Sequence, residues 1–251
     1  MRPVDRRTFT FALAAATAIA LGLKSLPAQD RPDPNNAPNP YRMVDSVIQL
    51  PEGRKLGAPI GVEIDHSDGK TLWVFDRCGG DTCVGSNLAP IMKFDASGKM
   101  VANFGAGTVN WPHGFYVDRN GDVWVTDGQA GGGKGHTVIK FAPDGKILMT
   151  LGKPGVAGDA PGMFNTPSDV VTAPNGDIFV ADGHGILQGQ LTNDRIVKLS
   201  KDGAFVKACG STAPSRANST FRIVSRSIRW AASMSATVPT AACRFSIRTA
   251  T

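Results

Sequence analysis

The sequence predicts an all-β protein, a β-propeller in which about three of an expected six blades are present. Three stretches align with one another: IGVEIDHSDGKTLWVFDRC, HGFYVDRNGDVWVTDG and SDVVTAPNGDIFVADG, which begin at Ile60, His113 and Ser168. Each contains a strand, a turn of Asp or Asn with Gly, and a second strand that ends in Asp. Four short strands per unit, repeated about every 50 residues, are typical of a propeller.

The strand-ending carboxylates set the period of this repeat. They are Asp76, Asp127 and Asp182, which lie 51 and 55 residues apart. Each unit continues with a third strand and a hairpin: IMKFDASGKMVANFG, TVIKFAPDGKILMTLG and RIVKLSKDGAFVKACG. The Gly-containing steps in these stretches are hairpin turns. We therefore assign residues 57–210 to an incomplete propeller of three blades.

The N-terminal segment predicts export from the cytoplasm. Residues 1–28 have a basic start, an apolar run of 15 residues from Phe9 to Leu23, and small residues before Gln29. This is the pattern of a cleaved secretory signal, and the run is shorter than the roughly 20 residues that span a bilayer. Arg6 and Arg7 resemble a twin-arginine signal; an ordinary export signal is the alternative. The expected destination is the periplasm or the medium, and residues 29–56 form a Pro-rich linker and lead-in.

The charge distribution argues against a nucleic-acid partner. The formal net charge is +6. Six Arg after residue 210 and the basic start account for it, which leaves residues 29–210 at about −3. No basic stripe remains in the body to neutralise phosphates. A nucleic-acid partner is therefore not expected; the partner that we expect is a small-molecule or peptide substrate in the propeller channel.

The last segment, residues 211–251, has a different composition from the rest. It contains six Arg but no Gly, Lys, Asp or Glu. Shifted by one base, it can be translated as a further repeat, so we interpret it as a frameshifted tail that begins between Lys207 and Thr212. A genuine Arg/Ser/Ala-rich extension is the alternative. With three blades and this tail, the chain as written is expected to be unstable and inactive, because an unclosed propeller leaves strand edges exposed.

Cys78 and Cys83 lie five residues apart in RCGGDTCVG. In an oxidising compartment this spacing could close a small disulfide loop. Two free thiols are the alternative. A metal site is less favoured, because no second Cys or His pair with ligand spacing follows.

His113 opens the innermost strand of its unit and therefore faces the predicted channel. A second His begins an inner strand in the out-of-frame translation, two blades later. A third His in the remaining alternate blade would give the open three-ligand site that is typical of catalytic zinc. The alternative is that His113 only packs beside Trp111.

The repeats resemble NHL repeats. WPHGFYVDRNGDVWVTDG and LGKPGVAGDAPGMFNTPSDVVTAPNGDIFVADG resemble the peptidyl-α-hydroxyglycine α-amidating lyase family and its bacterial secreted relatives. The resemblance covers about Gly57 to Gly210. It implies a six-bladed propeller with a zinc held by three His and a structural calcium. It also implies cleavage of the C–N bond of a peptidyl-α-hydroxyglycine, giving a peptide amide and glyoxylate.

This resemblance assigns four residues. His113 matches a zinc ligand, and Arg77 matches the active-site Arg near which the substrate carboxylate would lie. Phe115 matches a residue whose backbone carbonyl binds calcium. His184 stands where the family has a catalytic Tyr, in a loop with roughly seven extra residues. It could act as a general base, or its presence could mean that the amidating chemistry is lost. The competing function is a non-catalytic propeller that binds a ligand or a protein partner.

Overall fold

The chain forms three consecutive antiparallel sheets of four strands each, which we call blades one, two and three. The computed structural model describes residues 38–211. Blade one contains β1 (Pro59–Ile64), β2 (Leu72–Asp76), β3 (Ile91–Phe94) and β4 (Met100–Phe104). Blade two contains β5 (Pro112–Val117), β6 (Val123–Asp127), β7 (Thr137–Phe141) and β8 (Ile147–Leu151). Blade three contains β9 (Pro167–Thr172), β10 (Ile178–Asp182), β13 (Asp194–Leu199) and β14 (Phe205–Ser211), with the small hairpin β11 (Ile186–Leu187) and β12 (Gln190–Leu191) inserted after β10.

This architecture confirms the predicted all-β propeller fold with about three blades. Residues 38–211 contain no helix, so no described segment is a candidate membrane-spanning helix. The predicted export signal and the predicted frameshifted tail after Ser211 lie outside the described residues. Residues 38–45 belong to a separate unit without regular secondary structure.

Apolar side chains hold neighbouring blades together. The core between blades one and two is built mainly from Trp73, Phe75, Ile91, Phe115, Val117, Val123, Val125 and Phe141. The core between blades two and three contains Trp124, Val138, Phe164, Val170, Ile178, Val180, Val197 and Leu199. Full burial of one large apolar side chain contributes roughly 1.5–3 kcal/mol. Alternation along each strand sends one set of side chains to each neighbouring blade, so packing between blades follows directly from the sequence pattern.

The lead-in segment covers the other face of blade one. Ile48, Leu50 and Leu56 pack there on a buried group of three residues, Val74, Met92 and Phe94. Gln49 also forms a parallel bridge with Lys99. The end of the predicted lead-in is therefore part of the packed structure of blade one.

The repeated Asp that ends the second strand of each blade anchors the backbone that enters the first strand. Asp76 accepts the N–H of Gly57 at 2.8 Å. Asp127 accepts the N–H groups of Asn110 and Trp111 at 2.9 and 2.7 Å. The same role belongs to Asp182, which accepts the Asn165 N–H. We call this end of the blades the site end.

The opposite end, which we call the turn end, carries a second repeated contact. In blade one, Asp65 accepts the indole N–H of Trp73 at 3.1 Å and pairs with Lys93 at 3.3 Å. In blade two, Asp118 accepts the indole N–H of Trp124 at 3.0 Å. Blade three has Ala173 and Phe179 at the equivalent places and lacks this contact.

Candidate functional site

Three residues predicted for the site lie together at the site end, one from each blade. Arg77 follows β2, His113 is the second residue of β5, and His184 follows β10 by two residues. All three surround the Trp111 ring. Its centroid lies 4.5 Å from the Arg77 guanidinium carbon, 4.9 Å from the His113 ring and 5.5 Å from the His184 ring. The two imidazole centroids are 5.0 Å apart. We call these four residues the Trp111 cluster.

The imidazole of His113 has a fixed tautomer. Its Nδ1 lies 2.8 Å from the backbone carbonyl oxygen of Ser168, at the equivalent place in the next blade. A carbonyl can only accept, so Nδ1 carries the proton and the Nε2 lone pair is available to a ligand. Burial lowers the pKa of His113 to about 4. The ring is therefore neutral at neutral pH, which is the form that binds a metal or accepts a proton.

Arg77 is held across the boundary between blades one and two. Its Nε donates to the backbone carbonyl of Pro112 at 3.0 Å, while its guanidinium lies over Trp111. Burial lowers the pKa of Arg77, and Asp81 opposes this effect. A guanidinium stays protonated in proteins, so it can pair with a carboxylate through its remaining N–H groups.

A disulfide fixes the loop that follows Arg77. Cys78 and Cys83 are bonded, with their Cα atoms 5.1 Å apart, so the predicted disulfide is confirmed over the alternative of two free thiols. Cys78 has a left-handed backbone with φ of 54°. The Cys83 N–H donates to the carbonyl of Asn110 at 2.7 Å, so the loop is attached to the segment that carries Trp111.

His184 lies in a tightly hydrogen-bonded loop. Its backbone N–H donates to the Thr192 hydroxyl at 2.6 Å, and this hydroxyl donates to the Gly185 carbonyl at 2.9 Å. Gly183 before it has φ of 140°, and a Cβ there would meet the Asn193 carbonyl at 1.5 Å. Only glycine fits, because a side chain would both strain the backbone and collide with it. The extra residues predicted in this loop form the hairpin β11–β12, which the sequence analysis did not identify.

Phe115 lies apart from the Trp111 cluster, in the core between blades one and two. Its ring is 4% exposed and stacks on Phe75 with centroids 5.4 Å apart. The predicted role concerns its backbone carbonyl and a calcium ion, and it stays a prediction.

The described residues do not form a complete metal site. No group of three or more His, Cys, Asp or Glu suited to a metal occurs between residues 38 and 211. The structure brings His113 and His184 together, and the neutral, oriented imidazole of His113 fits a zinc ligand. The hydrogen bond from Nδ1–H to the Ser168 carbonyl is the outer-shell contact expected of a metal-binding His. The other His predicted from the out-of-frame translation lie outside the described residues.

Trp111 and Ser168 are the site residues that the sequence analysis did not assign. Trp111 was considered only as a packing neighbour of His113, yet its ring contacts all three polar residues of the cluster. The repeat distinguishes Trp111, because the residues at the equivalent position before the proline in the other two blades are the smaller Ala58 and Thr166. The role of Ser168 depends on a backbone carbonyl, and no residue pattern reveals it.

Known proteins with similar sequences include proteins named as amidating lyases and as NHL repeat-containing proteins. A Caenorhabditis elegans protein named "Probable peptidyl-alpha-hydroxyglycine alpha-amidating lyase" is 42% identical over 106 residues, which is 42% of this chain and 27% of that protein. "NHL repeat-containing protein 3" of mouse is 31% identical over 173 residues, 64% of this chain and 46% of that protein. The chain thus spans less than half the length of each relative.

No protein-family model matches the sequence. Among solved structures, a protein of unknown function from Bacteroides caccae has 12% sequence identity and a TM-score of 0.42, over 60% of this chain and 48% of its own.

Proposed function

We propose that this chain is an exported NHL-type propeller whose Trp111 cluster is built for zinc-assisted cleavage of a peptidyl-α-hydroxyglycine. The products would be a peptide amide and glyoxylate. The single observation that carries the proposal is the neutral, oriented imidazole of His113 beside Arg77 and His184. The similarity to a relative that is named as an amidating lyase supports it.

Each polar residue of the Trp111 cluster has a separate role in this reaction. Arg77 binds the substrate carboxylate through its free N–H groups and so orients the adjacent carbon. His184 accepts the proton of the substrate hydroxyl. The electron pair left on that oxygen forms the carbonyl of glyoxylate, and the C–N bond breaks. The bonding pair moves to nitrogen, which takes up a proton and becomes the peptide amide.

A zinc ion held by His113, with His184 at its side, would polarise the substrate hydroxyl and ease its deprotonation. His113 contributes a ligand nitrogen that needs no deprotonation at neutral pH, because burial keeps its pKa at about 4. Calcium at the Phe115 carbonyl belongs to the same proposal, as a structural ion that steadies β5.

Glyoxylate release tests the proposed reaction. A peptidyl-α-hydroxyglycine is incubated with zinc and a version of the protein in which the reading frame is restored between Lys207 and Thr212. We expect glyoxylate release that falls to background in His113→Ala.

Two further variants separate the roles of the cluster residues. In Arg77→Lys we expect kcat/KM to fall about 10- to 100-fold, since a lost charged hydrogen bond costs about 1.5–3 kcal/mol. In His184→Gln we expect a loss in kcat with KM little changed. Equal glyoxylate release by the restored protein and its His113→Ala variant would overturn the proposed reaction.

The second candidate function is binding of a ligand or protein partner without catalysis. The similarity to an NHL repeat protein covers 64% of the chain, a longer stretch than the lyase similarity. A restored protein that binds no zinc and releases no glyoxylate would favour this function.

A further inference from the structure

A cleft between blades two and three opens at the turn end, away from the Trp111 cluster. Its volume is about 540 Å³, within the usual range for small-molecule sites. The turn after β5, the turn after β9 and the β13–β14 hairpin form its walls. Tyr116, the lining residue of β5, lies three residues from His113, roughly 10 Å at about 3.3 Å per residue. We call this opening the turn-end cleft.

The base of the turn-end cleft is largely apolar. Tyr116 and Trp124 of blade two line it together with Val171 and Ala173 of blade three. Tyr116 packs against the two blade-three residues, and Trp124 is only 2% exposed. Tyr116 is the partly exposed member of this group, and its ring would contact an apolar or aromatic body of a ligand.

The acidic groups at the cleft are engaged in contacts within blade two. Asp118 accepts the indole N–H of Trp124 with one oxygen and the backbone N–H groups of Asn120 and Asp122 with the other. Lys140 pairs with Asp122 at 2.7 Å and lies 3.9 Å from Asp118. Lys140 offsets one of these two carboxylates, so the group retains one net negative charge, and its contacts all lie within blade two.

Two further cations at the cleft have no acidic partner. Arg119 and Lys201 line the cleft and are exposed. Neither side chain forms a salt bridge or hydrogen bond with another residue between 38 and 211. Two uncompensated positive charges above an apolar base favour an anion.

The repeat shows that the fold does not require these two cations. The position of Arg119, directly after the turn Asp, is occupied by His66 in blade one. The position of Lys201, in the hairpin of blade three, is occupied by Pro143 in blade two. Residues that the blade needs for folding recur between units, whereas Arg119 and Lys201 do not.

We propose that the turn-end cleft binds a small organic anion, with an apolar or aromatic body and one carboxylate or phosphate group. The guanidinium of Arg119 pairs with two oxygens of the anion, and the Lys201 ammonium adds a point charge. The body of the ligand lies on Tyr116 and Pro174, which line the cleft and are accessible. This site is separate from the Trp111 cluster and does not depend on the proposed lyase activity.

Calorimetric titration of the full chain tests the proposal with three probes. Benzoate and phenyl phosphate carry the two anionic groups on one aromatic ring, and benzyl alcohol is their neutral counterpart. We expect at least one anion to bind and benzyl alcohol to show no measurable binding. Tighter binding of one anion identifies which group the cleft prefers.

A pair of charge-matched variants completes the experiment. Arg119→Gln/Lys201→Gln removes two positive charges at the cleft, and we expect at least a tenfold loss of anion affinity. The control, Lys70→Gln/Lys153→Gln, removes two exposed charges elsewhere and should bind as the unsubstituted chain does. The proposal is overturned if neither anion binds at millimolar concentration, if benzyl alcohol binds equally well, or if the two double variants behave alike.

Discussion

The two ends of the blades differ in how much they repeat. At the turn end, blades one and two build the same contact, an Asp that accepts an indole N–H, as Asp65 does from Trp73 and Asp118 does from Trp124. At the site end, Arg77 has only glycines as its equivalents in the other two blades. Contacts that recur therefore serve the fold, and residues that occur once are the candidates for function.

The site end also contains a repeated feature, the strand-ending Asp, whose salt-bridge partners are not repeated. All three strand-ending Asp accept backbone N–H groups, but their cationic partners differ. Asp76 pairs with Arg54 at 3.2 Å and Asp182 with Arg195 at 2.8 Å. Asp127, in the blade that carries His113, has no salt-bridge partner among the described residues. The blade with the candidate metal ligand is thus the one whose Asp is least compensated.

Among the substitutions that test this comparison, Arg195→Met is expected to lower the free energy of unfolding most. The pair of Arg195 and Asp182 is almost completely buried, so the substitution leaves a buried carboxylate without its cation. Loss of one partner in such a pair costs about 3–5 kcal/mol. Urea unfolding measures the change in the free energy of unfolding.

Lys198→Met is the matched control for this substitution. Lys198 lies in the same strand and pairs with Asp177 at 2.6 Å, but both side chains are partly exposed. We expect a loss of no more than about 1 kcal/mol, as for surface pairs. Equal losses of unfolding free energy in the two variants would show that the buried pair of Arg195 and Asp182 stabilises the fold no more than the partly exposed pair does.

A pH-dependent effect is expected from Asp127→Asn. Burial raises the pKa of Asp127 to about 6 from its ordinary value of 3.8. The folded protein therefore holds this proton to higher pH than the unfolded chain does, so its stabilising effect is complete below pH 3.8 and is lost as pH rises through about 6. Asp127→Asn keeps an acceptor oxygen and removes this dependence.

The measurement is the difference in unfolding free energy between Asp127→Asn and the unsubstituted chain, at pH 4 and at pH 7. It should shift in favour of the variant by up to about 3 kcal/mol, since one pKa unit corresponds to about 1.4 kcal/mol. A difference that does not change with pH would contradict the uncompensated burial of Asp127.

The smallest effect is expected at the turn end, from Trp124→Phe. The substitution imitates blade three, where Phe179 takes this place, and it removes the indole N–H donor to Asp118. We expect a loss of about 1 kcal/mol. Trp73→Phe should lower the free energy of unfolding by a similar amount, because it removes the equivalent contact to Asp65. Clearly unequal losses in urea unfolding would show that the two contacts have the same geometry but do not stabilise the blades equally.

The sequence predicts the repeated part of the molecule well, for local reasons. Alternation and Asp-Gly turns determine strands over a few residues, so blades one to three could be placed from the sequence. The hairpin β11–β12 was missed because each of its strands has only two residues. Such strands carry no alternation to detect.

The site was only partly predictable, because its contacts join distant parts of the chain. His113, Arg77 and His184 were named one at a time from resemblance. Their meeting around Trp111 depends on packing between three blades, and the orientation of His113 depends on a carbonyl 55 residues away. Neither relationship leaves a local pattern.

Zinc titration of the protein with its reading frame restored between Lys207 and Thr212 tests the central claim most directly, that residues occurring once at the site end form a metal-binding site. Three proteins are compared by calorimetry: the unsubstituted chain, His113→Ala, and His66→Ala as a control at the exposed turn end. We expect one zinc per chain, at least a tenfold weaker affinity in His113→Ala, and an unchanged affinity in His66→Ala. Zinc binding by His113→Ala equal to that of the unsubstituted chain, or no zinc binding at all, would contradict the account.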